Sequence, residues 1–259
     1  MISRRRFTMM GATVAAASAV VAAPSAHASG RPGRSQGVRN IVLVHGAYAD
    51  GSSWGKVIPL LQRAGMRVTA VQNPLTSLAD DAAATRFALA RQDGPTLLVA
   101  HSYAGTVISE VGLDDKVAGL VYVAARAPEA GEDFAALAAK FPTPPVSSGI
   151  VSSGGFRWLD QDAFLRDFAN GVPREEALTL YAAQGLLSTA PPTTSVAAWH
   201  EKPSWYAVSR QDRTINPDLE RFMAHRMRAR TIEVNAGHLS LITHPQEISR
   251  LILGAAASV

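Results

Sequence analysis

Cysteine is missing from all 259 residues of the chain, and this absence removes several kinds of chemistry at once. Without cysteine there is no disulfide, no thiolate nucleophile and no cysteine-ligated metal. The histidines do not cluster with acidic residues at the spacing of metal ligands, which argues against a metal-dependent enzyme. No apolar run reaches the roughly twenty residues that a transmembrane helix needs. Any catalysis must therefore do without a thiol group.

The N-terminal segment has the pattern of an export signal rather than of a folded element. Three arginines at 4–6 precede an uncharged apolar run at 9–23, and 26–28 has the small-x-small pattern that a signal peptidase accepts. We predict that 1–28 is a twin-arginine-type signal peptide and 29–40 a linker, so that the mature protein is secreted or periplasmic. A membrane anchor is the alternative, but the run is short and rich in alanine, so we expect no stable anchoring of the mature form.

Net charge gives no argument for a nucleic-acid partner. The chain has 25 lysines and arginines against 21 acidic residues, and the predicted signal holds three of those arginines and none of the acids. Without the signal the balance is 22 against 21, a net charge of +1. Four arginines stand close together late in the chain, and we interpret them as the solvated face of a helix. They are Arg221, Arg226, Arg228 and Arg230.

Strand-like and helix-like segments alternate along most of the chain. A short continuous apolar run, typical of a strand buried on both faces, occurs at 41–44, and further strand-like segments follow at 67–71, 96–100 and 117–123. Helical spacing lies between them, and strands recur late in the chain. The helices are predicted at 54–64, 80–91, 217–227 and 245–253, and the late strands at 205–208 and 232–234. This alternation predicts an α/β fold with a mostly parallel sheet and helices on both faces.

The alternation breaks between 127 and 200, where proline-rich pieces surround two helical segments, around 161–170 and 174–185. About 230 residues remain after the predicted signal, too few for two ordinary domains. We therefore predict one core made of 41–126 and 201–259, with 127–200 inserted as a cap.

Ser102 follows a predicted buried strand and precedes a predicted helix, the position of a nucleophile elbow. In such a turn the serine has a strained backbone, so the residues two before and two after it must be small. Ala100 and Ala104 occupy those places, where glycine is usual, and Gly105 comes one position later. The alternative interpretation of Ser102 is an ordinary helix N-cap.

A nucleophilic serine needs a base, and His238 stands on the loop after the last predicted strand. The remaining histidines fit worse, because they lie within turns, in the cap or on helices. The base also needs a carboxylate, and the order serine, acid, histidine favours Asp212, just after the strand at 205–208. Acids after the preceding strand stay open as alternatives. They are Glu129, Glu132 and Asp133.

Backbone N–H groups are expected to bind the oxyanion of the tetrahedral intermediate. One is the N–H of Tyr103, directly after the nucleophile and at the start of its helix. The other is the N–H of Ala47, in the turn after the first core strand, where Gly46 permits a tight bend.

These candidates belong to short motifs that occur in a set order: Leu43-Val44-His45-Gly46-Ala47, Ser53-Trp54, His101-Ser102-Tyr103, Gln211-Asp212 and Gly237-His238. The set resembles the plant methylesterase and hydroxynitrile lyase branch of the α/β-hydrolases, with its bacterial esterase relatives, over nearly the whole mature chain. The resemblance implies the α/β-hydrolase fold, a Ser-His-Asp triad, a small helical cap over an apolar pocket and no cofactor.

The expected function is hydrolysis of a small or medium carboxylic ester through an acyl-enzyme on Ser102. Tyr48, Trp54 and Tyr103 lie nearest the chemistry by motif position and are predicted to bind substrate. The cap adds apolar side chains that we expect mostly in its own core: Phe156, Trp158, Phe164, Phe168, Leu186, Leu187 and Trp199. Lactones, carbamates and aryl esters stay open as substrates, and so does the oligomeric state.

Two other functions are weighed against the esterase. Similar lyases add a lysine shortly after the catalytic histidine and a threonine near the oxyanion turn, whereas this chain has Leu239 to Ile242 and Ala47-Tyr48 at those places. The second alternative function is that of a hormone receptor with little turnover. The presence of a serine, a histidine and an acid together argues against it, because ligand binding alone does not require them.

Overall fold

A computed structural model of the chain describes residues 37–259, and within them six strands form one parallel sheet. Three further strands form a small antiparallel sheet. In chain order the strands are β1 (Asn40–Val44), β2 (Arg67–Val71), β3 (Thr96–His101), β4 (Val117–Val123), β5 (Ile150–Ser153), β6 (Phe156–Leu159), β7 (Leu187–Ser188), β8 (Ser204–Ser209) and β9 (Arg230–Val234).

Helices connect the strands of the parallel sheet and also occupy the segment between β4 and β8. They are α1 (Ile58–Arg63), α2 (Leu78–Ala90), α3 (Ala104–Val111), α4 (Phe134–Ala138), α5 (Gln161–Ala163), α6 (Arg174–Ala182), α7 (Pro217–Arg226), α8 (Ser240–Thr243) and α9 (Pro245–Ala256). Short 3₁₀ turns stand at Gly51–Trp54, Pro145–Gly149 and Ala198–His200, and one π-helical turn at Phe164–Phe168 directly continues α5.

The strand order places the ends of β1 and β3 next to each other. The parallel sheet runs β2-β1-β3-β4-β8-β9, so the chain leaves β1 for one side and returns to β3 on the other. Val44 at the end of β1 is opposite Ala100 of β3. In parallel sheets a crevice forms at such a reversal, outside the carboxyl ends of the strands.

Burial follows from this order. Every residue of the central strands β1 and β3 is buried, whereas the edge strands β2 and β9 are partly exposed. Helix α2 packs against α3, and α1 packs against α9, so the helices form two layers. The predicted mostly parallel sheet with helices on both faces is confirmed.

The helix predicted at 54–64 is shorter in the structure. Residues Gly51–Trp54 form a 3₁₀ turn, and α1 begins only at Ile58. Pro59 explains the late start, because proline has no N–H to donate and is tolerated in the first turn of a helix but not in its interior.

The antiparallel sheet between β4 and β8 was not predicted from the sequence. β5 and β6 form a hairpin whose two-residue turn is Gly154-Gly155, with φ angles of 58° and 82°. Two left-handed residues match the twist of a hairpin, and glycine adopts that conformation without steric cost. β7 then pairs with β6. The inserted segment therefore contains strands as well as the predicted helices.

At the N-terminal end the described chain is already packed, since Val38 is 4% exposed and Asn40 begins β1. The predicted linker at 29–40 thus overlaps the fold at its last residues. The predicted signal at 1–28 lies outside the described residues.

Candidate active site

Ser102 lies in the sharp turn between β3 and α3, with a φ of 55°. Left-handed backbone in a residue other than glycine costs on the order of 1–3 kcal/mol and persists only where its surroundings enforce it. Here the N–H of Ser102 donates to Val123 O (3.2 Å), and its carbonyl accepts from the N–H groups of Gly105 and Arg126 (3.0 Å each). These bonds to the end of β4 and the start of α3 hold the strained turn.

Two glycines allow the close approach that this turn requires. A Cβ on Gly46 would lie 2.7 Å from Ser102 Cβ, and a Cβ on Gly105 would lie 1.9 Å from the carbonyl oxygen of Arg126. Ala100 and Ala104 are fully buried on either side of the serine. Gly105 therefore allows the close approach that is usually provided by a glycine one position earlier, two residues after the nucleophile.

A chain of hydrogen bonds joins the three residues predicted as nucleophile, base and acid. His238 Nε2 lies 2.8 Å from Ser102 Oγ, and His238 Nδ1 lies 2.6 Å from Asp212 Oδ2. The other oxygen of Asp212 accepts from the N–H groups of Thr214 (2.6 Å) and Ile215 (2.9 Å). Since the carboxylate can only accept, His238 donates from Nδ1, which leaves Nε2 to accept the serine proton.

The alternative acids are engaged elsewhere. Glu129 is paired with His200 at 2.8 Å, and Glu132 with Arg226 at 2.8 Å. Asp133 caps α4 by accepting from two backbone N–H groups of its first turn. Within residues 37–259, Asp212 is the carboxylate that contacts His238.

The turn after β1 faces Ser102 across the sheet reversal. No acceptor for the N–H groups of Ala47 and Tyr103 is found among residues 37–259, which leaves them available to an oxyanion. His45 shapes this turn by donating from Nδ1 to Gly46 O (2.9 Å) and by accepting at Nε2 from the N–H of Asn73 (2.8 Å). Burial lowers the pKa of His45, so the ring is neutral and structural. Asn73, just past β2, was not identified from the sequence.

A cavity of about 530 Å³ opens above Ser102, between the core and the inserted segment. Tyr48 and Tyr103 line it, as predicted for substrate-binding residues, whereas Trp54 does not. Trp54 is fully buried, because the 3₁₀ turn directs its side chain into the core. Of the seven apolar cap residues named from the sequence, only Leu187 lines this cavity. Phe164 and Phe168 are buried within the fold.

Comparison with known proteins identifies the family. Residues 41–251 match the Alpha/beta hydrolase family. The chain belongs to this family. The family predicted from the motifs is thus confirmed. The match covers β1 to most of α9, including every residue of the hydrogen-bonded chain.

Curated relatives of this alpha/beta hydrolase include esterases. Methylesterase 2 of Arabidopsis thaliana is 25% identical over 257 residues, which cover 84% of this chain and 96% of the relative. A pyrethroid hydrolase of Sphingobium wenxiniae is 37% identical over 101 residues, which span only 34% of this chain and 36% of that protein. Among solved structures, polyneuridine aldehyde esterase is 16% identical with a TM-score of 0.72, covering 85% of this chain and 99% of that one. That last likeness concerns the fold.

The inserted segment of this alpha/beta hydrolase also reaches the histidine loop. Asn170 donates from Nδ2 to Gln211 O (2.9 Å) and accepts at Oδ1 from the N–H of His238 (3.4 Å). The Phe168 ring lies 5.2 Å from the His238 ring between centroids. Asn170 therefore connects the loops that carry Asp212 and His238. The sequence offered no signal for it, because the contact joins residues far apart in the chain.

His101 supports the same loop from the other side. Its Nε2 lies 3.1 Å from the carbonyl oxygen of His238, and the two rings pack with their centroids 4.6 Å apart. Burial, followed by the neighbouring His238, lowers the pKa of His101 well below its usual value, so the ring is neutral and donates from Nε2.

A second carboxyl group, Glu220, lies fully buried near Asp212. Its Oε2 accepts from the N–H of Ser209 (3.0 Å), and its Oε1 has no partner within residues 37–259. Burial first, and then the negative charge of Asp212, raise the pKa of Glu220 well above its usual value. The fold therefore favours the protonated, neutral form of Glu220.

The part of the chain that the structure describes contains no group of three or more His, Asp or Glu side chains placed to hold a metal ion. Within residues 37–259, no helix combines the length and the apolar character that crossing a membrane requires.

Proposed function

We propose that this alpha/beta hydrolase cleaves carboxylic esters through an acyl-enzyme on Ser102, with His238 as general base and Asp212 as its orienting acid. The observation that carries the proposal is the hydrogen-bonded chain from Asp212 through His238 to Ser102, which ends beside two unengaged backbone N–H groups. The curated relatives named methylesterase and pyrethroid hydrolase support the ester as substrate class.

The reaction follows from these positions. Ser102 Oγ attacks the ester carbonyl carbon while its proton passes to His238 Nε2, and Asp212 stabilises the resulting imidazolium. The N–H groups of Ala47 and Tyr103 bind the oxyanion, an interaction whose loss typically costs about 10²–10³ in rate per donor. When the intermediate collapses, the alcohol leaves with the proton from His238. Water, activated by the same imidazole, then hydrolyses the acyl-enzyme.

Cavity size supports a small or medium ester. A volume of about 530 Å³ lies within the roughly 300–1,000 Å³ typical of small-molecule pockets. The Tyr48 ring and Leu187 give apolar walls, and both line the same cavity as Ser102.

The direct test is hydrolysis of a p-nitrophenyl ester series by the wild-type protein, Ser102→Ala and, as a matched control, Ser258→Ala near the C-terminus. We expect turnover that Ser102→Ala lowers by on the order of 10⁴–10⁶-fold, as for other triads, with Ser258→Ala unchanged. A fluorophosphonate should label Ser102 covalently. Absence of both turnover and adduct would rule out the esterase and favour a ligand-binding role.

We also propose that the protein is exported, with 1–28 as a twin-arginine-type signal that is removed after Ala28. The support is the sequence itself: arginines at 4–6, the apolar run at 9–23 and the small residues at 26–28.

A further inference from the structure

Two arginines line the cavity above Ser102, one from each side. Arg126 follows β4, and its backbone N–H donates to Ser102 O at 3.0 Å, so it stands beside the nucleophile. Arg157 comes from the middle of β6 in the inserted segment. Neither guanidinium forms an ion pair or a side-chain hydrogen bond with any residue of 37–259.

Arg157 stands on the inward face of the small sheet. Side chains alternate along a strand, so Arg157 shares a face of β6 with Leu159, which is fully buried. Its neighbour across the strands is Leu187 of β7, which also lines the cavity. The Nε of Arg157 is buried without a partner. A buried donor without a partner typically costs about 1–3 kcal/mol.

Arg126 is held by aromatic faces instead of by acids. Its Cζ lies 4.5 Å from the centre of the Phe134 ring and 5.9 Å from that of Tyr103. Burial, together with the charge of Arg157, lowers the pKa of Arg126 to about 10, so it stays protonated at neutral pH. Two cations that repel each other therefore face one partly closed cavity.

Acidic groups nearby do not neutralise this pair. Asp133 is the carboxylate among the residues that line the cavity, and one of its oxygens caps α4 at the surface. Asp81 lies behind Tyr103, where its oxygens accept from Tyr103 Oη (2.7 Å) and from the N–H of Leu75 (2.7 Å). An anion entering the cavity would thus meet two cations with no competing carboxylate in contact with them.

We propose that Arg126 and Arg157 bind an ionised carboxylate on the substrate, so that the preferred ester carries a second, anionic group. This rests on the proposed esterase function. A half-ester of a dicarboxylic acid fits this description, as does an ester whose alcohol part is a hydroxy acid. Guanidinium groups suit the task because their planar donors match a carboxylate with two parallel hydrogen bonds. The carboxylate takes no part in bond breaking and serves to hold the ester above Ser102.

The first experiment compares kcat/KM for monoethyl adipate with that for ethyl heptanoate, a neutral ester of similar length. Wild-type protein, Arg157→Gln, Arg157→Lys and the surface control Arg250→Gln are assayed in parallel. We expect a preference for the anionic ester that Arg157→Gln reduces about ten- to hundredfold, the usual range for a charge-assisted hydrogen bond. The ratio of kcat/KM for the two esters is the readout, so that a general effect of the substitution on turnover cancels. Arg157→Lys should retain part of the preference because lysine keeps the charge.

An acetylated hydroxy acid, with its carboxylate in the alcohol part, forms the second arm. Faster hydrolysis of monoethyl adipate places the arginines on the acyl side, and faster hydrolysis of the acetylated hydroxy acid places them on the alcohol side. The proposal is overturned if neutral esters are hydrolysed as well as both anionic ones, or if Arg157→Gln leaves the ratio unchanged. In both cases the esterase function itself would stand.

A binding measurement separates the two proposals further and does not need turnover. Hexanoate should bind to the wild-type protein about ten- to hundredfold more tightly than the neutral hexanamide by calorimetry, and Arg157→Gln should abolish the difference. Equal binding of hexanoate and hexanamide would overturn the carboxylate site even if Arg157→Gln fails to fold. Tighter hexanoate binding without hydrolysis of any ester would leave the carboxylate site standing and reject the esterase.

Discussion

Glu220 is a carboxyl group with no solvent contact, close to Asp212, the hydrogen-bond partner of His238. Its folded-state pKa is raised, whereas in the unfolded chain it titrates near the ordinary glutamate value of about 4.3. Between those two values the folded protein binds one proton more than the unfolded chain. The stability that Glu220 contributes is therefore full below about pH 4.3 and is lost as the pH rises towards the folded-state pKa.

Replacing Glu220 by glutamine should remove this pH dependence. Glutamine keeps the shape and an oxygen for the N–H of Ser209, but it does not ionise. We expect the unfolding free energy of the wild-type protein to fall relative to Glu220→Gln by up to about 1.4 kcal/mol per pH unit above pH 4.3, until the folded-state pKa is reached. Urea unfolding at a series of pH values measures the difference. Glu247→Gln, at a position 41% exposed, is the control and should run parallel to wild type.

Parallel profiles for Glu220→Gln and wild type would show that Glu220 ionises in the fold as readily as in the unfolded chain. The raised pKa inferred from its burial would then be wrong.

At the scale of single residues, sequence reasoning succeeded where position along the chain determines position in space. Ser102, Asp212 and His238 each lie in the turn or loop that follows a strand of a parallel sheet, so their place at one edge could be predicted. Trp54 failed because nearness in sequence to the turn at Ala47 does not fix where a side chain points. The burial of Glu220 near Asp212 could not be predicted from the sequence, because its neighbours depend on how α7 packs on the sheet.

Among the elements, the hairpin β5-β6 was available in the sequence and was missed. Gly154-Gly155 between Ile150–Ser153 and Phe156–Leu159 is a recognised hairpin turn signal. The proline-rich and helical segments around this hairpin favour a helical interpretation of the whole insertion instead. The omission mattered, because this hairpin carries Arg157 into the cavity.

The contact between the inserted segment and the histidine loop gives a prediction about two neighbouring positions. A Cβ on Gly237 would lie 2.2 Å from Asn170 Oδ1, so Gly237→Ala must displace Asn170 and lose its two hydrogen bonds. We expect Gly237→Ala to cost about 1–3 kcal/mol of stability, as overpacking does, and Asn170→Ala about 1 kcal/mol. Because the clash disappears with the asparagine, the double variant should cost little more than Asn170→Ala alone.

Urea unfolding of the wild type, both single variants and the double variant measures the coupling. Gly254→Ala in α9 is the control, because its added Cβ meets nothing within 4 Å and alanine favours helix by about 1 kcal/mol. Strictly additive costs at positions 170 and 237 would contradict the clash.

For the molecule as a whole, the alternation of strands and helices sufficed to predict the parallel sheet, but not the order of its strands. That order depends on which side of the sheet each connection takes, and no local pattern encodes it. The position of the site could nevertheless be predicted, because the carboxyl ends of parallel strands meet at one edge whatever their order.

Export is a property of the entire chain and can be tested on it. In a bacterial host with a twin-arginine pathway, we expect the protein outside the cytoplasm with Ser29 as its first residue, by mass spectrometry. Replacing the arginines at 4–6 by lysine should leave uncleaved protein inside the cell, because the route reads the arginine pair. Export that survives the replacement, or an intact N-terminus on the exported protein, would contradict the signal proposed for 1–28.

Asn170 also limits how the cavity can open. The amide that joins the loops of Asp212 and His238 belongs to the inserted segment, so lifting that segment as one body would separate the acid and the base from their support. Opening the cavity in this way would therefore disturb the loops on which the proposed catalysis depends. Pro142, Pro144, Pro191 and Pro192 also border the cavity. Entry of a substrate between these stiff loops would leave the hydrogen bonds of Asn170, Asp212 and His238 intact.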